Sequence, residues 1–142
     1  MLRNIPKIIP PELLKILSEM GHGDTVILAD ANYPAATGAQ RLVRTDGSEV
    51  TELLDAILPF FPLDVYVTSP VALMAPVQGD STPEIWAQYR EIIKKHDTDK
   101  AFNDFELVER MQFYEDAKNA FAIVQTGTTA KYANISLKKG VI

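Results

Sequence analysis

Residues 25–30 read Thr25 Val26 Ile27 Leu28 Ala29 Asp30, an apolar run closed by a carboxylate. The run is too short for a helix and is bounded by Gly23 Asp24 in front and Asp30 behind, which is the pattern of a strand buried on both faces. Upstream, Leu13, Ile16, Leu17 and Met20 recur at helical spacing. Pro10 and Pro11 suit that helix's entry, and Gly21 suits its exit. A helix leading into a doubly buried strand sets an α/β class.

Downstream the same alternation continues. Arg41 Leu42 Val43 Arg44 reads as a strand, Asp46 Gly47 as a turn, and Ser48 as the cap of a helix carrying Leu53, Leu54, Ile57 and Leu58, stopped by Pro59 and Pro62. Val65 Tyr66 Val67 and Val71 to Ala75 read as strands. Thr82 Pro83 Glu84 predicts a helix start, with Thr82 as cap, running to about Lys95. Phe105 to Val108 alternates as a strand, and Phe113, Ala117 and Ala120 mark the buried face of a helix over Gln112 to Ala120. Phe121 to Val124 and Asn134 to Leu137 close the chain as two strands joined through Gly127 Thr128 Thr129. The expectation is a single layered α/β domain over residues 1–142, with helices on both faces of a mixed, mostly parallel sheet.

The chain has 142 residues, 46% of them apolar, enough for one core. Its net charge of −5 disfavours a nucleic-acid binder, which needs a basic patch. The absence of cysteine removes disulfides, thiol catalysis and every cysteine-containing metal site. No stretch approaches the roughly 18 apolar residues of a membrane span. The chain therefore reads as soluble and cytoplasmic.

In open α/β sheets, ligands gather beyond the carboxyl ends of strands, which draws attention to Asp30. With Asn32, Tyr33 and Pro34 behind it, Asp30 reads either as a hydroxyl-binding carboxylate or as a turn cap. His22, between Gly21 and Gly23, is a titratable imidazole on permissive backbone, or a surface residue after a helix end. Arg110, between a strand and a helix, can face a strand-end cleft or solvent. Tyr132 and Asn134 add a phenol and an amide suited to sugar hydroxyls, or belong to a half-buried strand. His96, behind Lys94 and Lys95, reads as a structural cation at a helix end. The dinucleotide fingerprint fails because Val26 stands at its third glycine position, and no phosphate loop or serine-hydrolase elbow is present. Two distant histidines without H-x-x-x-H spacing argue against a zinc site and leave only carboxylate sites for magnesium open.

Taken in order, Pro11 to Lys15, Met20 Gly21 His22 Gly23 Asp24, Asp30 Ala31, Pro34 Ala35, Phe113 Tyr114 Glu115, Ala120 to Val124, Thr126 Gly127, Ala130 Lys131 Tyr132 and Asn134 to Gly140 resemble the fucose mutarotase and ribose pyranase family. The resemblance spans nearly the whole chain. It implies a three-layer α/β/α fold and a sugar mutarotase without cofactor or metal. It also implies a ring-like homo-oligomer, commonly a decamer, with sites near subunit boundaries. Carried over by position, His22 matches the proton donor, and Asp30, Arg110, Tyr132 and Asn134 match sugar-contacting residues. Arg110 and the Phe113 Tyr114 Glu115 run favour L-fucose over the alternative, ribose. Asn32 Tyr33 and Ala133 depart from the fucose pattern. The partner expected is a free monosaccharide, ribose or galactose standing behind L-fucose, and a non-catalytic sugar-binding accessory is the rival reading.

Overall fold

Strand β1, Thr25–Ala29, lies inside a six-stranded sheet of order β2-β5-β1-β6-β3-β4. The computed structural model describes residues 1–142. Strand β5 (Ala122–Thr126) pairs parallel with β1 and with β2 (Leu42–Thr45), β3 (Val71–Met74) pairs parallel with β4 (Glu106–Val108), and β6 (Ile135–Lys138) runs antiparallel between β1 and β3. The mixed, mostly parallel sheet is as expected. The two closing strands do not pair with each other, because β1 lies between them.

Side-chain alternation on β1 builds both faces. Val26 and Leu28 face α1 (Pro11–Glu19), α3 (Val50–Ile57) and α4 (Ile85–His96) through Leu13, Leu53, Leu54, Tyr89 and Ile93. Ile27 and Ala29 face α5 (Arg110–Lys118) and the short α2 (Ala35–Gly38) through Phe113, Ala117 and Ala35. Each fully buried leucine contributes about 1.5–3 kcal/mol, so the larger layer on the α1, α3 and α4 side dominates the core.

Three local expectations are corrected. Helix α3 is capped by Glu49, not Ser48. The Glu49 carboxylate accepts from the backbone of Glu52, and the Glu52 carboxylate accepts from Glu49 N–H at 2.9 Å, a reciprocal capping box. Helix α4 begins at Ile85, with no side-chain cap from Thr82. Trp86 N–H and Ala87 N–H bond to Pro83 and Glu84 carbonyls, so a tight turn precedes the helix. Val65 Tyr66 Val67 forms bends, because the Asp64 carboxylate accepts Tyr66 N–H at 3.0 Å and turns the chain away after the Leu63–Lys139 bridge. His96 bonds to Asp55 at 2.7 Å and joins α4 to α3. No helix is long and apolar enough to cross a membrane.

Candidate functional site

Asp30 leaves the carboxyl end of β1 buried, and its surroundings hold it in one orientation. Its N–H donates to Asn134 Oδ1 at 2.8 Å, its Oδ1 accepts Asn32 N–H at 2.9 Å, and its Oδ2 accepts Asn134 Nδ2 at 3.0 Å. Gln125 donates to its carbonyl from the neighbouring β5. Burial raises the Asp30 pKa above the ordinary carboxylate value, and the donors from Asn32, Asn134 and Tyr33 only partly offset that.

Around Asp30 is a cavity of about 290 Å³ to which Arg110, Tyr114, Tyr132, Asn134 and Asp80 also contribute. Arg110 begins α5, and its guanidinium stands 5.6 Å over the Tyr114 ring. The Glu109 carboxylate caps that helix by accepting Met111 and Gln112 N–H, which holds Arg110 at the cavity mouth. Tyr33 packs on Phe113 and Tyr114 beneath it, its phenol pushed to a higher pKa by burial. A carboxylate, a guanidinium, a phenol and an amide thus converge from residues 30 to 134. Such a set can bind several hydroxyls at once. A larger depression, about 430 Å³, lies by Leu58 to Leu63 and the end of α4, but its His96 and Lys95 are already paired with Asp55.

His22 is elsewhere. It precedes β1 while Asp30 follows it, and a five-residue strand separates them by about 17 Å. Within one chain, therefore, Asp30 does not orient the imidazole. Asp64 does: its Oδ1 lies 3.2 Å from His22 Nε2, and Tyr66 stacks near the ring at 5.6 Å between centroids. Burial alone would raise Asp64, but Tyr66 N–H, His22 and Lys138 outweigh it and hold the carboxyl below its ordinary value.

The turn carrying His22 is pinned to the end of β6. Gly23 N–H donates to Lys139 O at 2.8 Å with Gly23 at φ +85, and Gly21 N–H donates to Asp24 Oδ2 at 2.7 Å. Beside it, Asp64 N–H bonds to Lys138 O and Gly140 N–H to Pro62 O. A Cβ at Gly140 would stand 2.5 Å from Leu63 O, so only glycine lets this segment come close enough to bring Asp64 to His22.

Sequence reasoning missed Asp64 and Asp80. Asp64 stands just ahead of Val65 to Val67, which read as a strand, and Asp80 closes a turn on Val77 that no motif marked. No group of three or more His, Cys, Asp or Glu side chains is placed to hold a metal ion.

The model of the RbsD / FucU transport protein family matches residues 3–142. The chain belongs to that family. The fucose mutarotase of Streptococcus pneumoniae, solved in complex with L-fucose, is 53% identical, with 99% of each chain covered and a TM-score of 0.93. FucU from Bifidobacterium longum is 48% identical over 99% of each chain, also at a TM-score of 0.93. RbsD of Bacillus subtilis, solved with D-ribose, shares 21% identity at a TM-score of 0.73, covering 94% of this chain and 95% of that one, and shows a common fold. This member of the RbsD / FucU family shares the fold of these structures, and its own cavity lies beyond β1, at the strand end where a ligand was expected.

Proposed function

We propose that this chain is an isomerase that interconverts the α and β anomers of L-fucose by acid/base-assisted ring opening. The observation that carries the reading is the convergence of Asp30, Arg110, Tyr132 and Asn134 on one cavity, in a chain 53% identical along its length to a fucose mutarotase solved with L-fucose. Arg110 favours fucose over ribose.

Anomer exchange requires the ring oxygen to gain a proton while the anomeric hydroxyl loses one, and reclosure reverses both transfers. His22 serves as proton donor to the ring oxygen, since an imidazole changes charge near neutral pH. The carbon–oxygen bond of the ring breaks, the aldehyde turns about the bond between C1 and C2, and closure on the other face gives the other anomer. Asp30, fixed by Asn134, accepts sugar hydroxyls, and Arg110 donates to them. Asp64 keeps the imidazole in its orientation.

About 17 Å of strand between His22 and Asp30 supports a site shared between copies, with His22 supplied by a second chain to the Asp30 cavity. A ring-like homo-oligomer, a decamer, provides that arrangement, because a heterologous contact that closes repeats one site around the ring. Cytoplasmic location belongs to the same reading.

Magnetisation transfer between the anomeric proton signals of equilibrated L-fucose tests the proposal. Exchange speeded by the wild-type protein and lost in His22→Ala, with circular dichroism unchanged, is the expected result. Silence with L-fucose but acceleration of ribose ring interconversion would turn the reading to the pyranase. Tight sugar binding without exchange would make the protein a binding accessory.

A further inference from the structure

Ring opening also needs an acceptor for the anomeric proton, and a second hydrogen-bonded carboxylate stands at the cavity. Tyr132 Oη donates to Asp80 Oδ2 at 2.6 Å, within the short range of charge-assisted O–H···O⁻ bonds, and accepts Val77 N–H at 3.2 Å. Both partners come from one turn, closed by Asp80 N–H on Val77 O at 3.1 Å and shaped by Gly79 at φ +96.

The backbone of Tyr132 is held as firmly as its phenol. Tyr132 sits at φ 54, a left-handed conformation that is costly for a bulky aromatic residue and persists only where the surroundings enforce it. Two side chains of α4 do so: Trp86 Nε1 donates to Tyr132 O at 2.8 Å, and Tyr89 Oη donates to Ala133 O at 2.6 Å. Strained backbone, a clamped carbonyl and a phenol aimed at a carboxylate coincide at one cavity residue.

We propose that Tyr132 takes the anomeric proton and that Asp80 is the positioning residue that accepts the phenol's own proton in return. The proposal rests on the mutarotase reading. As the anomeric O–H breaks, its proton bonds to Tyr132 Oη and the original phenolic proton passes to Asp80 Oδ2. The electron pair left on the anomeric oxygen forms the aldehyde C=O. The pair of the ring carbon–oxygen bond goes to the ring oxygen, which bonds the proton released by His22. Imidazolium loses one proton and the Asp80 carboxylate gains one, so charge balances, and reclosure runs the same transfers backwards.

Asp30 is less suited to this task. Its carboxylate oxygens are engaged by the Asn32 N–H and the Asn134 amide, which hold it facing the sugar hydroxyls, and no phenol bonds to it. Asp80 is exposed, and its gained proton can equilibrate with water.

The test is L-fucose anomer exchange, measured for kcat and KM, in wild type, Asp80→Asn, Asp80→Glu, Tyr132→Phe and the Asp80→Asn/Tyr132→Phe pair. Asp80→Asn is expected to lower kcat about tenfold to a hundredfold, with KM within about a factor of two. Asp80→Glu is expected to recover much of that loss, and the double variant to be no slower than Tyr132→Phe alone. Unchanged kcat in Asp80→Asn, a change in KM alone, or losses that multiply in the double variant would overturn the proposal. If Asp80→Asn loses its fold by circular dichroism, Asp80→Ser, which still offers the phenol an acceptor but no proton store, takes its place under the same criteria. A wild-type protein that does not exchange L-fucose anomers removes the mutarotase reading itself, whereas active wild type with an equally active Asp80→Asn removes only the relay.

Discussion

Asn134 grips Asp30 at two points, its amide oxygen on the Asp30 N–H at 2.8 Å and its amide nitrogen on the carboxylate at 3.0 Å, across 104 residues of sequence. Both residues are buried, so the groups Asn134 pairs have few substitute partners. Asn134→Ala is expected to destabilise the fold by about 1–3 kcal/mol for each group left unpaired. Urea unfolding followed by fluorescence measures this, and an unchanged midpoint would mean the grip adds nothing.

Two buried carboxylates are expected to titrate in opposite directions. Asp30 is raised above 3.8, so the folded chain binds its proton more tightly than the unfolded chain, and its contribution to stability declines as pH rises from 3.8 through the raised value. Asp64 is lowered below 3.8, so the stability it adds is present above 3.8 and is lost as pH falls through the folded value. Carboxyl-carbon NMR titration, assigned with Asp30→Asn and Asp64→Asn, is expected to place the two midpoints on opposite sides of the ordinary value.

The Asp64 carboxylate that holds His22 can be neutralised with little change of shape. Asp64→Asn keeps an acceptor for Tyr66 N–H but removes the charge beside the imidazole, so kcat for anomer exchange should fall about tenfold or more while KM holds. Full activity in this variant would leave Asp64 with a structural role alone.

If one chain supplies His22 and another the cavity, two defective variants can complement one another. His22→Ala and Arg110→Ala are each expected to be inactive. Unfolded together and refolded as a mixture, they should regain part of the wild-type exchange rate, because some contacts then join an intact His22 to an intact cavity. A mixture as inactive as its parents would confine the site to one chain.

How far the site could be read beforehand depended on what each residue answers to. Thr25 to Ala29 was legible because a strand buried on both faces has a continuous apolar signature. Asp30 followed from its place at that strand's end. Arg110, Tyr132 and Asn134 were suggested by residue type and drawn together by the family resemblance, since no local pattern records that residues 30 and 134 touch. Asp64 escaped because Val65 Tyr66 Val67 read as a strand beginning after it, and only the bond from Tyr66 N–H to its carboxylate reveals the bend. Ser48 is a better generic cap than Glu49, yet Thr128 overrides that preference. Its hydroxyl donates to the Glu49 carboxylate at 2.6 Å and accepts Val50 N–H at 2.8 Å, a contact between distant segments.

Strand β6 runs against its neighbours, so one end reaches the Asp30 cavity and the other the turn bearing His22. Its first residue, Ile135, pairs with Leu28, and its last, Lys138, pairs with Thr25. A slip of one residue would exchange its side chains between the two faces of the sheet and in the same movement pull Asn134 from Asp30 and Lys139 from Gly23. The register of one four-residue strand thus sets both ends at once: a shifted β6 loses the grip on Asp30 and the pin on the His22 turn together.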